Sequence, residues 1–205
     1  MNMLINSVPT SLSVAGTDYE INTDFRVWLR FEKLLSGKVE NSNATLLKIK
    51  KLVFKSKLPP DSADEETTEQ ILWFYRCGKP EQKGGASSSK KVFDYDYDDG
   101  YIVAAFLEQY DIDLSSEQND IDPSSEDMNW WKFRALMLSL SESTEFVKII
   151  GYRSVEINSK MSAAQKAFLQ KMKKIYKLPI NENEQKRISA IEDALINGES
   201  IDNLL

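Results

Sequence analysis

Three aspartates alternate with aromatic residues in Phe93-Asp94-Tyr95-Asp96-Tyr97-Asp98-Asp99-Gly100, the 1-3-5 spacing of a calcium-binding EF-hand loop. Such a loop also needs glycine at its sixth position, for a sharp turn, and glutamate at its twelfth to close the coordination shell. Here those positions hold Asp99 and Ala105, which argues against calcium. The chain has no histidine. That excludes Ser-His-Asp and Cys-His nucleophiles and imidazole metal ligation, leaving only carboxylate chemistry. A carboxylate-based, metal-dependent hydrolase built on Asp94, Asp96 and Asp98 is therefore the enzymatic alternative. Gly84-Gly85 lack the GxxxxGK[ST] spacing and follow no apolar strand, so they are not a phosphate loop. Cys77 is the single cysteine, which leaves no internal disulfide and suits a reducing cytosol. On the apolar face of a helix it reads as a core thiol.

The plainer reading of Phe93–Tyr97 is an extended segment, with the aromatics on one face and the aspartates on the other. Asp98 or Asp99 then caps a helix over Tyr101–Tyr110. Within Val92–Trp131 there are twelve carboxylates and no lysine or arginine. Lys132–Lys177 carries ten basic residues against three acidic ones. This polarity fits two solvated faces, pairing within the subunit, or head-to-tail self-association of copies. The acidic stretch could also imitate nucleic-acid phosphates, so an acidic nucleic-acid-mimicking inhibitor is an alternative reading. A net charge of −6 argues against direct binding to nucleic acid, so no nucleic-acid partner is expected.

The bulkiest apolar cluster is Asn129–Leu140, NWWKFRALMLSL, uninterrupted by glycine or proline. As a helix it carries two adjacent stripes, Trp130, Phe133, Met137 and Leu140, and Trp131, Ala135 and Leu138. Such coverage predicts a helix enclosed by others, capped by Ser124 or Ser125. Upstream, Ser11–Val14 and Thr17–Ile21 around Ala15-Gly16 predict a hairpin whose turn needs a positive φ at Gly16. A helix from the Asn22-Thr23-Asp24 cap to about Ser36 buries Phe25, Trp28, Leu29 and Leu35 and stops at Gly37. A second covers Asn43–Ser56, and a third begins near Asp61–Ala63, opens on acidic residues and ends at Gly78. Downstream, Ser143 caps a short helix, Thr144–Ile150, stopped by Gly151, and Val155–Ile157 is extended. Ser162 opens a helix in which Phe168, Met172 and Ile175 oppose a lysine face. A last helix runs from about Glu182 to Asn197, and the tail beyond it ends in an apolar hook.

The resulting expectation is a mainly α, multi-helix globular fold with an N-terminal β-hairpin and room for a small second β element. Its organisation reads as 1–78, hairpin plus helices; 79–92, a flexible Gly/Ser/Lys loop; 93–178, a C-terminal helical half packed on the first; and 179–205, a helix and tail. No apolar run approaches the roughly 20 residues of a membrane span, and no basic residue precedes the short apolar N-terminal run as in a signal peptide. No membrane partner is expected.

Five stretches together resemble the bacteriophage Gp-fifteen family, the tail assembly chaperones of long-tailed phages and prophages of Gram-positive bacteria. They are TDYEINTDFRVWLRFE (Thr17–Glu32), ILWFYRCGK (Ile71–Lys79), FDYDYDDGYIVAAFLEQYDIDL (Phe93–Leu114), NWWKFRALMLSLSE (Asn129–Glu142) and KIIGYRSVEI (Lys148–Ile157). Order and spacing hold from about Leu4 to Leu178, with a longer Asn119–Ser124 segment and a tail beyond Pro179 that carries none of the family's marks. The resemblance implies a non-enzymatic, cofactor-free protein of the host cytoplasm, absent from the mature virion. It would bind the phage tape measure protein and help recruit major tail protein as the tube polymerises. A chaperone for a long helical client needs apolar contacts of modest strength, shared among many copies. The residues expected to supply them are Tyr95, Tyr97, Tyr101, Ile201, Leu204 and Leu205.

Overall fold

A computed structural model of the chain describes residues 2–36, 42–80, 91–115 and 128–179. Its residues cluster into two compact units, each discontinuous in sequence: Met1–Ser89 with Phe106–Ser141, and Lys90–Ala105 with Glu142–Leu205.

The first unit opens with the hairpin β1 (Ser11–Val14) and β2 (Thr17–Glu20), paired antiparallel from Ser11 opposite Glu20 to Val14 opposite Thr17. Ala15 and Gly16 both have positive φ, 49° and 71°, the handedness that lets a two-residue turn match the twist of its strands. Leu12, Val14 and Tyr19 face inward and are buried. The chain leaving β2 is pinned by an isolated bridge between Ile21 and Phe54 and by Asn22 N–H donating to Val53 O at 2.8 Å.

Helix α1 (Phe25–Ser36) follows, its first turn tied by Asp24, whose carboxylate accepts the Arg26 N–H at 2.7 Å. Phe25, Val27, Trp28 and Phe31 are buried, whereas Leu35, expected on the same face, is exposed near the helix end. Helix α2 (Ser42–Val53) is shorter than the expected Asn43–Ser56, because Phe54 leaves it to form the bridge with Ile21. Its Lys50 is 2% exposed and is compensated on three sides. Nζ donates to Pro59 O at 3.2 Å and Asp61 Oδ1 at 3.1 Å and pairs with Asp64. Burial opposes its charge, but the two aspartates outweigh burial and raise its pKa.

A 3-10 turn at Asp61–Ala63 leads into α3 (Asp64–Tyr75), whose Thr67, Ile71 and Phe74 are buried. α3 ends at Tyr75, three residues before the glycine expected to stop it. Cys77 takes the left-handed conformation, φ 56°, while Gly78 N–H reaches back to Trp73 O and Cys77 N–H to Phe74 O. This is a Schellman closure with cysteine at the position usually given to glycine. Cys77 is half-buried, and burial pushes its thiol above the ordinary value.

Helix α4 (Asp99–Tyr110) contributes residues to both units, and α5 is Trp130–Leu138. The start of α5 is stitched to the start of α1: Phe25 N–H donates to Met128 O and Trp130 N–H to Thr23 O. The cap is Asn129, whose side chain accepts the Lys132 N–H at 2.9 Å, and not the expected Ser124 or Ser125, which lie outside the described residues. Trp130, Trp131 and Phe133 are buried among aromatic rings. Phe133 stacks on Phe25 at 4.7 Å and on Phe106 at 5.3 Å, and Trp130 stacks on Tyr75 at 5.4 Å. Both indoles donate to successive carbonyls at the end of α3, Trp131 to Phe74 O at 2.8 Å and Trp130 to Tyr75 O at 2.9 Å. Burial without loss of the N–H bond is what a core tryptophan requires.

The expected enclosure holds only for that first turn. Ala135 and Leu138 are exposed, the latter 75%, and Leu136, Met137 and Leu140 are half-buried. The C-terminal end is instead held by polar contacts from α4. Tyr110 hydroxyl donates to Leu136 O, and Gln109 bridges Ser139 O and Ser141 N–H.

The second unit holds α6 (Glu145–Ser154) and α7 (Ala163–Ile175). Helix α6 runs through Gly151, where a stop was expected, because Phe146, Ile149 and Arg153 bury one continuous face across it. A helix-interior glycine costs only about 1 kcal/mol, less than that burial returns. Its cap position is Thr144, not Ser143. Val155–Ile157 has no strand partner, and beyond the hairpin only isolated bridges occur among the described residues. Helix α7 begins with a full capping box, Ser162 accepting Gln165 N–H and Gln165 accepting Ser162 N–H. The architecture is the mainly α fold with an N-terminal hairpin.

Candidate protein-binding face

The aspartate-aromatic stretch is a turn, not a strand: residues 95–97 curl so that Asp98 N–H donates to Asp94 O at 2.8 Å. Asp94 drives the curl. Its carboxylate accepts the N–H groups of Asp96 and Tyr97 at 2.8 and 3.2 Å and pairs with Lys91. Burial disfavours its charge, but the Lys91 ammonium and the two N–H donors prevail and hold its pKa below the usual carboxylate value. Asp98 is fully buried and does something else again. Its oxygens take both Nη groups of Arg153, at 2.7 and 2.9 Å, and the Asp94 N–H at 3.0 Å. Asp94 and Asp98 are thus committed to protein donors. Among the described residues no three His, Cys, Asp or Glu side chains group to hold a metal ion.

Arg153 is the hub of this unit. Beyond Asp98 it donates to Val92 O at 3.1 Å and through Nε to Tyr176 O at 2.5 Å, and its own carbonyl accepts Lys173 Nζ at 2.9 Å. These bonds fix the 92–98 turn, the end of α6 and the end of α7 to one another. On that frame sits a row of aromatic rings. Tyr101 meets Tyr176 edge-on at 6.4 Å, Tyr176 stacks on Tyr152 at 6.0 Å, and Tyr152 meets Phe168 edge-on at 5.9 Å. Tyr176 hydroxyl donates to Glu145 at 3.0 Å, and that carboxylate pushes the phenol above its ordinary value.

Helix α7 buries no residue completely. Phe168 and Ile175, expected inside, are 50% and 54% exposed, because among the described residues α6 is the one helix with extensive contact to α7 and it covers only part of their sides. A shallow groove of about 260 Å³ lies along it, lined by Met161, Gln165, Phe168 and Leu169.

Of the residues expected to meet a partner, Tyr97 is 47% and Tyr101 37% exposed. Tyr95 is half-buried, edge-on to Phe93 at 5.1 Å. Ile201, Leu204 and Leu205 lie outside the described residues. Sequence reasoning missed the exposed Phe168, the half-buried Tyr152 beside it and Arg153 as the organiser. Among the described residues no helix is long and apolar enough to cross a membrane.

None of the curated proteins and none of the solved structures matches the chain. A family model does, that of the Bacteriophage Gp15 protein, over residues 4–178. Those residues include every element of both units described above, so the chain belongs to the Bacteriophage Gp15 protein family and is a phage protein.

Proposed function

We propose that the protein is a phage tail assembly chaperone. It binds the tape measure protein in the host cytoplasm, without catalysis, and helps recruit major tail protein around it. Family membership supports the phage setting. The observation that carries the binding role is the tyrosine row of the second unit, rings displayed on a frame fixed by Arg153. Tyrosine suits such a face, offering large apolar contact with few rotatable bonds and a hydroxyl for polar partners. The phosphate-mimic alternative fares worse. Asp98 points inward to Arg153 and Asp94 is held by Lys91 and backbone, so these two carboxylates of the 92–98 turn are not offered to a partner.

The test is co-expression with the tape measure protein of the same phage. The chaperone should raise the soluble fraction of that client and co-purify with it, and Tyr101→Ala with Tyr152→Ala should weaken both effects. A client that stays insoluble and unbound beside folded chaperone removes the reading.

A further inference from the structure

The tyrosine row ends at Phe168, which is half exposed, and from there a side of α7 runs on to Ile175 without α6 covering it. Ala164, Phe168, Lys171 and Ile175 follow one another at i, i+4, i+7 and i+11 and therefore form one strip. All four are exposed, as are Ala167 and Lys174 beside them. The helix is anchored to α6 by Tyr152, which stacks on Tyr176 and meets one edge of Phe168, and by Lys173 on Arg153 O. The strip is thus apolar, rigidly mounted and uncovered among the described residues. Its charge has one sign: residues 158–179 hold six lysines and no carboxylate.

We propose that this strip seats an amphipathic helix of the client whose apolar ridge is flanked by acidic residues. The inference rests on the chaperone reading and names the chemistry of the segment held. Phe168 and Ile175, two turns apart, supply apolar anchors at the spacing a helix presents. Ala164 and Ala167 allow close approach of a second backbone, and Lys171 and Lys174 lie where acidic flanks would fall. The same charges disfavour other occupants. Two copies meeting through α7 would set lysines against lysines, which costs free energy unless they are paired. A bilayer would gain little from two large apolar side chains with Lys171 between them.

The test uses the full chain, a synthetic amphipathic helix flanked by Glu, the same ridge flanked by Lys, and peptides tiling the tape measure protein, read by fluorescence anisotropy at low and high salt. The Glu-flanked helix should bind about tenfold or more tighter than its Lys-flanked twin, and more weakly as salt rises. Lys171→Glu with Lys174→Glu should reverse that preference, and Phe168→Ser with Ile175→Ser should abolish binding, circular dichroism showing both variants folded. Tiling peptides that bind should be the acid-flanked ones. Equal binding of the two helices, or binding unchanged in both variants, overturns the proposal. So does binding that appears only after truncation following Pro179, which would make the chain's own tail the occupant. Capture of anionic vesicles through the same lysines with both helices ignored, or dimerisation through Phe168, does the same. If client solubility survives in every variant, the chaperone reading stands and this inference falls. If the Glu-flanked helix binds but the client is never held, the face is supported and the chaperone reading falls.

Discussion

Arg153 grips Asp98 with both Nη groups, at 2.7 and 2.9 Å, and the aspartate is wholly removed from solvent. Fifty-five residues separate the two in sequence. The pair lies where the turn, α6 and α7 of the second unit converge, so its loss should be felt across that unit.

Removing one partner leaves a buried charge without its counter-ion. Asp98→Asn or Arg153→Met should each destabilise the second unit by about 3–5 kcal/mol, and the double variant should recover part of the loss. Hydrogen exchange resolved by segment checks this. Protection should fall in α6 and α7 in the single variants and return in part in the double. Equal loss in all three would mean the two side chains act independently.

In the first unit the sensitive position is Trp131. Trp131→Phe keeps most of the ring and forfeits the N–H donated to Phe74 O, at a cost of about 1–3 kcal/mol. Leu138→Ala, seven residues on in the same helix but 75% exposed, should change stability by less than about 0.5 kcal/mol. Urea denaturation of both variants measures the contrast, which would vanish if the helix were evenly enclosed.

Acid should weaken the 92–98 turn. The folded-state pKa of Asp94 is depressed, so its contribution is present above the unfolded value of about 3.9 and is lost as pH falls through the folded value. Wild type should therefore lose stability steeply below about pH 4. Asp94→Asn should be less stable at neutral pH and show a flatter acid limb. Thermal midpoints collected between neutral and acid pH decide it, and superimposable profiles would show that Asp94 contributes nothing.

Asp111 ends α4 in the left-handed region, φ 56°, with its side chain exposed. Its carboxylate also sits at the negative end of the helix dipole. Asp111→Gly should accordingly stabilise by about 0.5–1 kcal/mol, glycine adopting that backbone without strain. A raised thermal midpoint is the expected result.

What could be read in the chain was local. Ala15-Gly16 between two short alternating runs specifies the hairpin, and Ser162 with Gln165 specifies the start of α7. Each signal acts within a few residues. Gly151 misled because a stop signal is an average preference, overridden when Phe146, Ile149 and Arg153 bury a face across it. The apolar second half of α5 misled differently: periodicity shows which residues share a stripe but not whether anything lies against it. Tyr97 and Tyr101 could be placed at the surface from the carboxylates around them. Their organising partner could not, since Arg153 reads as one cation among ten, and its pairing with Asp98 exists only after the chain has folded.

The placement of the indoles has a spectroscopic consequence. All four tryptophans, Trp28, Trp73, Trp130 and Trp131, fall in the first unit, and the second contains tyrosine and phenylalanine but no tryptophan. Long-wavelength emission excited near the red edge therefore watches one unit and is blind to the melting of the other. A new indole at an exposed site of α7, read as the difference from the wild-type emission, would supply the missing optical channel.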